Sequence, residues 1–185
     1  TTLVEMRIRE AAGAHREWST ADIIHTLTES NPRTIAEATW SFIELTRDGP
    51  AFLAEKADSI GGNGALKKWS LGDTPSVLVN SADQQVMVWT TLPAESFFVL
   101  PGPNRPVAIA WTSPLDGEIT IEGRVADVHP TALDGVAYRL EHIASPATGL
   151  ALVEAGRLLA QSAPVLEPPP AIPVAYAVVD RELAK

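Results

Sequence analysis

Glu118-Ile119-Thr120-Ile121-Glu122-Gly123-Arg124-Val125 changes character almost residue by residue. In an extended chain successive Cβ atoms point to opposite faces, so Ile119, Ile121 and Val125 share one side while Glu118, Thr120, Glu122 and Arg124 share the other. An apolar face backed by a charged one describes an antiparallel strand with one side on a core and the other in water. Upstream, Val107, Ile109 and Trp111 line one face of another strand, and downstream Val136, Tyr138 and Leu140 line a third. Val77-Leu78-Val79, Val86-Met87-Val88-Trp89 and Phe97-Phe98-Val99-Leu100 add β-rich runs. Pro101-Gly102-Pro103-Asn104 and Ser113-Pro114-Leu115-Asp116-Gly117 separate strands, since Pro presets one φ angle and Gly or Asn accepts a positive one. Short strands at this rhythm predict an antiparallel β-sandwich.

The N-terminal third reads differently. Leu3, Met6, Ile8 and Ala11, then Ile23, Ile24 and Leu27, then Ile35, Ala38, Phe42 and Leu45 recur mostly at spacings of three and four, which predicts helices. Thr20 is placed to cap the second, Pro32 fits the first turn of the third, and Asp48-Gly49-Pro50 stops it. Gly61-Gly62-Asn63-Gly64 reads as a flexible break. Leu150, Leu152, Val153, Leu158 and Leu159 predict a further helix, followed by a proline-rich connector from Pro164 to Pro173. The resulting expectation is an α+β chain: a helical segment over residues 1–64, a jelly-roll-like sandwich over 65–146, and a helix, proline-rich linker and terminal strand over 147–185. Val174-Ala175-Tyr176-Ala177-Val178-Val179 has no following strand to pair with, so it is expected to dock on another chain or domain.

Composition narrows the function classes. The 185 residues carry 14 Lys and Arg against 23 Asp and Glu, a net charge of −9. Nucleic-acid binding needs clustered cations to neutralise phosphate, and no such cluster is present. No apolar run reaches the roughly 18 to 20 residues that span a bilayer. With no Cys, disulfides, thiolate nucleophiles and cysteine metal sites are excluded. The chain opens at Thr1 rather than Met, as expected of a processed chain or a piece of a longer one.

Two sets of side chains could carry chemistry. Asp127, His129, Asp134, Glu141 and His142 form the densest polar constellation, and carboxylates with imidazole could ligate a divalent metal. Asp127, His129 and Asp134 are the candidate ligands, with calcium the candidate ion. Glu141 and His142 alternate along one strand and point to opposite faces. The competing reading makes Asp127 and Asp134 turn formers through Asx-type hydrogen bonds. Trp69, Trp89 and Trp111 are candidate ligand-binding residues, because an indole ring covers the apolar C–H face of a pyranose. Trp111 shares its face with Val107 and Ile109, a placement that also suits a core residue. No Gly-x-Ser-x-Gly elbow or phosphate-binding loop is present, so no catalytic residue is assigned.

Several phrases point to a family: Phe97-Phe98-Val99-Leu100-Pro101-Gly102-Pro103, Val107-Ala108-Ile109-Ala110-Trp111-Thr112-Ser113-Pro114, Gly123-Arg124-Val125-Ala126-Asp127, Asp134-Gly135-Val136-Ala137-Tyr138-Arg139-Leu140 and the tail Pro173-Val174-Ala175-Tyr176-Ala177-Val178-Val179. They resemble the β-sandwich insert of large secreted planctomycete proteins, which combine a cytochrome-c-like segment with planctomycete-specific domains of unknown function. The resemblance implies a lectin-like or jelly-roll fold, an extracytoplasmic location and a role in handling polysaccharide. The family's Cys-x-x-Cys-His is missing here, and Asp180-Arg181-Glu182-Leu183 replaces a glycine-containing continuation, so electron transfer does not carry over. The expected function is a non-catalytic, secreted carbohydrate-binding module of a larger multidomain protein. The alternatives are a structural or assembly subunit of a cell-envelope complex and a metal-dependent hydrolase using Asp127, His129 and Asp134.

Overall fold

The computed structural model describes residues 1–46, 49–129, 137–144 and 173–180. Along the chain run β1 (Thr2–Glu10), β2 (Glu17–Ser19), α1 (Ala21–Ile24), β3 (Arg33–Ile35), β4 (Ala38–Thr46), β5 (Gly49–Phe52), β6 (Glu55–Ala57), β7 (Leu66–Ser70) and β8 (Ser76–Asn80). They are followed by β9 (Val86–Met87), β10 (Thr91–Leu92), β11 (Ser96–Leu100), β12 (Val107–Thr112), β13 (Ile119–Asp127), β14 (Ala137–Ala144) and β15 (Pro173–Asp180). A seven-stranded antiparallel sheet has the order β13-β1-β11-β8-β7-β6, with β2 also on β1. A six-stranded sheet has the order β14-β15-β12-β4-β3, with β5 also on β4. The two pack face to face.

Period-two burial explains the pairing of the faces. Val4, Met6 and Ile8 of β1, Val77 and Val79 of β8, and Phe97 and Val99 of β11 turn inward from the first sheet. Trp40 and Phe42 of β4 meet them from the second sheet with Val107, Ile109 and Trp111 of β12. Two aromatic contacts cross the interior: Trp18 on Trp111, with ring centroids 5.2 Å apart, and Phe42 on Phe97 at 5.8 Å. Offset and tilted rings at these separations are the geometry that aromatic quadrupoles favour.

The helical expectation for residues 1–64 is overturned: there is no helical N-terminal part, and the described residues are mostly β-strand rather than α+β. Among the described residues the only α-helix is α1, four residues long. Leu3 and Met6 fit a helical spacing, but Val4-Glu5-Met6-Arg7-Ile8-Arg9 alternates strictly, and the strand pairs β13 along its whole length from Thr2 to Glu10. In β4, Ser41, Ile43 and Glu44 are buried beside Trp40 and Phe42. A strand covered on both faces loses its alternation, and its apolar positions can then mimic a helical stripe. Thr20 does sit at the N-cap of α1, but its side chain makes no cap hydrogen bond. Its hydroxyl instead accepts from the Met6 N–H at 3.1 Å.

Two further expectations change. Gly61-Gly62-Asn63-Gly64 lies between β6 and β7, which pair with each other, so the stretch is a hairpin connection inside one sheet. The terminal strand is not left for another chain. β15 pairs with β12 along one edge, Val107 opposite Val179 and Thr112 opposite Val174, and with β14 along the other. The sequence order hid this, because the partners lie on both sides in space and only upstream in the chain. The helix and most of the proline-rich connector expected between Ala144 and Pro173 fall outside the described residues.

Irregular backbone near α1 is held by Asn31. Its Nδ2 donates to the Phe42 and Leu53 carbonyls at 2.8 and 2.9 Å, and its Oδ1 accepts the Phe42 N–H at 2.9 Å. The amide thus stands in for a strand residue beside β4. Asn31→Ala leaves the Leu53 carbonyl and the Phe42 N–H to find other partners, while the Phe42 carbonyl keeps the Leu53 N–H at 3.0 Å, and it is expected to cost about 2 kcal/mol in urea unfolding.

Candidate functional site

The outer face of the seven-stranded sheet carries a second, smaller core. Leu3, Leu66, Leu78 and Phe98 point outward from β1, β7, β8 and β11, and with Leu92 they form a cluster of buried residues. The hairpin β9–β10 lies over them, placing Val86 and Val88 against the cluster. Strand alternation then turns Met87 the other way, to 71% exposed, and leaves Trp89 at the turn 45% exposed. The same physics that seals the patch pushes two large apolar side chains into water.

Asn80 fixes this hairpin to the sheet. It is fully buried at the end of β8, and its Nδ2 lies 3.0 Å from the Gln84 carbonyl oxygen, 3.3 Å from that of Leu92 and 2.8 Å from that of Pro93. Its Oδ1 accepts the Ala82 N–H at 3.1 Å. At the far end, the Trp89 indole Nε1 donates to Thr1 Oγ1 at 2.8 Å, and the Thr90 hydroxyl donates to the Val128 carbonyl. Val128 N–H in turn reaches the Thr1 carbonyl at 2.9 Å. The turn is therefore tied to the start of β1 and the end of β13, in part through the Trp89 indole N–H itself.

Met87, Trp89, Thr90, Thr91, Asp127, Val128 and His129 line a groove of about 460 Å³ beside the turn. Three sequence candidates, Trp89, Asp127 and His129, come together here. Asp127 Oδ1 accepts the His129 backbone N–H at 2.9 Å, the Asx-type bond expected after a strand. The Asp127 side chain is 25% exposed. The remaining candidates are placed elsewhere or lie outside the described residues. Trp111 is fully buried in the main core and presents no ring to a ligand. Trp69 packs against that core and spends its indole N–H on the Leu27 carbonyl at 2.7 Å, so it too is structural. Glu141 and His142 belong to β14 in the opposite sheet, with Glu141 paired to Arg139. Asp134 lies outside the described residues, and among those residues no group of three metal-ligating side chains is assembled.

A second concavity of about 450 Å³ opens where the edge of β1 passes from β11 to β2. Its charged rim is largely self-neutralised: Arg7 pairs with Glu17 at 3.0 Å, and Arg124 lies 3.9 Å from Glu5. These are exposed pairs of the kind that contribute little to stability, and its aromatic lining residue, Phe97, is buried. It lacks an exposed platform of the kind Trp89 provides.

Met87, Thr91 and Val128 carry no signal in the sequence that marks them as groove residues. Val86-Met87-Val88-Trp89 reads as one strand, and its reversal at Val88-Trp89-Thr90 contains no Gly, Pro or Asn to announce a turn. Asn80 is silent for a related reason: its importance comes from three carbonyls that only the fold gathers around it.

In comparisons with family models, curated proteins and solved structures, no family model matches the chain, and no curated protein or solved structure matches significantly. Among the described residues, fold and groove together define a mostly-β sandwich that carries an exposed aromatic groove on a covering hairpin. Among the described residues no helix is long and apolar enough to cross a membrane.

Proposed function

We propose that this chain is a non-catalytic β-sandwich module that binds a saccharide in the Trp89 groove. The observation that carries the reading is the Trp89 ring, nearly half exposed yet held by the bond from its Nε1 to Thr1 Oγ1. A ring fixed before binding loses little conformational entropy on contact, which is where a stacking platform gains its affinity. Asp127, Thr91 and His129 supply polar groups at the edge of the groove for sugar hydroxyls. This mix of an apolar floor and a few polar groups is the usual chemistry of a small-molecule site. A module of this kind fits the secreted, multidomain setting that the planctomycete resemblance implies.

The assembly alternative loses its motive, because β15 is paired on both edges within this chain. The hydrolase alternative needs Asp134 beside Asp127 and His129, and Asp134 lies outside the described residues.

The test is binding of the folded chain to a panel of immobilised polysaccharides, with calcium and with chelator. Trp89→Ala is expected to weaken binding at least about tenfold, since stacking on an aromatic ring is worth roughly 1–3 kcal/mol. Trp69→Phe, at a core position, should leave it unchanged. Failure of the wild-type chain to bind any glycan would overturn the reading. Loss of binding with chelator would bring in an ion held at Asp127.

A further inference from the structure

We propose that Met87 is the site at which peroxides oxidise this chain, and that its conversion to the sulfoxide weakens the groove; the second half rests on the saccharide reading. The sequence holds two sulfur atoms, in Met6 and Met87, and no Cys to react ahead of them. The fold treats the two in opposite ways. Met6 is 7% exposed and packs in the main core between the sheets, whereas Met87 is 71% exposed on the outer side of the β9–β10 hairpin. Thioether oxidation follows access of the oxidant to sulfur, so the folded chain offers one target of the two. Met87 belongs to neither apolar cluster, and it lines the groove with Trp89, Thr91 and Val128.

The step balances with hydrogen peroxide as the two-electron oxidant. A sulfur lone pair attacks one peroxide oxygen, an S–O bond forms as the O–O bond breaks, and hydroxide leaves. The proton on the new S–OH group passes through solvent to that hydroxide, giving sulfoxide and water. Thr91, directly across the hairpin from Met87, donates its hydroxyl to the sulfur at 3.6 Å. A thioether is a weak acceptor and a sulfoxide oxygen a strong one, so the same hydroxyl is placed to hold the product at the groove wall. Oxidation thereby turns an apolar, pliable part of that wall into a polar one, beside the ring on which a sugar's C–H face would stack. The two sheets are untouched, because no core side chain changes.

The experiment exposes the intact chain to graded hydrogen peroxide and maps the added oxygen by peptide mass spectrometry. Met87 is expected to oxidise about tenfold or more faster than Met6, and the two rates should converge in urea, where burial no longer protects Met6. Equal rates in the folded chain would overturn the assignment. Chain oxidised at Met87 alone is then titrated with the polysaccharide that the untreated chain binds. Its affinity is expected to fall about fourfold, the equivalent of one methylene contact, with the thermal unfolding midpoint unchanged. In Met87→Leu, which has no sulfur at this position, peroxide should no longer alter the affinity. Unchanged affinity after oxidation, or a fall that persists in Met87→Leu, would overturn the second half while leaving the saccharide reading intact. Untreated chain that binds no glycan overturns the saccharide reading and the second half together, and the oxidation map still decides the first.

Discussion

Asn80→Asp is expected to release the β9–β10 hairpin and abolish ligand binding together. The substitution preserves shape but replaces a donating amide nitrogen by an oxygen that faces the carbonyls of Gln84, Leu92 and Pro93. The site is fully buried, so the carboxyl either stays charged among like partial charges or takes up a proton and satisfies one carbonyl of three. Either way the cost is about 3 kcal/mol or more. For a domain of this size that corresponds to a fall of roughly 6–12 °C in Tm if the loss is global. A cheaper escape is to let the hairpin lift, which exposes Leu92 and the small outer core while the two main sheets persist. Hydrogen exchange separates the two outcomes: fast exchange confined to residues 84–93 marks local release, and uniform acceleration marks global loss. Unchanged binding and unchanged exchange would show that Asn80 does not hold the hairpin.

The second large effect lies at Glu44 and Arg105. Glu44 is 5% exposed at the end of β4, and the Arg105 guanidinium meets it with two bonds, Nε to Oε1 at 2.5 Å and Nη2 to Oε2 at 3.0 Å. The Arg105 Nη1 also donates to the Thr74 carbonyl at 2.6 Å. One side chain thereby ties the turn before β12 to β4 and to the turn before β8. Arg105→Ala strands a buried carboxylate and frees that carbonyl. Loss of one partner of a buried pair costs about 3–5 kcal/mol, and the 39% exposure of the Arg105 side chain lets water offset part of it. The expected loss is about 2–3 kcal/mol in urea unfolding. Arg105→Ala combined with Glu44→Gln should be less damaging than the two single costs added together, because the double variant buries no unpaired charge. Strict additivity would show that the pair does not act as a unit.

How much of this was legible depends on whether neighbouring residues carried the signal. The alternation of Ile119, Ile121 and Val125 against Glu118, Thr120, Glu122 and Arg124 was readable because β13 keeps one charged face in water. The equally regular Val4-Glu5-Met6-Arg7-Ile8-Arg9 was open to misreading only because Leu3 and Met6 also fit a three-residue spacing. Phe42, Ile43 and Glu44 were not readable in principle from local pattern, since burial on both faces of β4 removes the contrast on which periodicity rests. Of the groove, Trp89, Asp127 and His129 could be named as residue types capable of recognition. That they meet, and that Trp69 and Trp111 do not join them, depends on a hairpin folding back over β1 and on contacts more than thirty residues apart, such as Thr90 with Val128.

The position of β15 governs when this protein can become itself during synthesis. β12 and β14 are made well before residues 173–180, yet they are joined in the six-stranded sheet only through that last strand. A chain still on the ribosome holds an apolar edge at Val107–Thr112 open until those residues emerge. Any truncation upstream of Pro173 makes that opening permanent. Products that lack Pro173–Asp180 are thus expected to aggregate through β12.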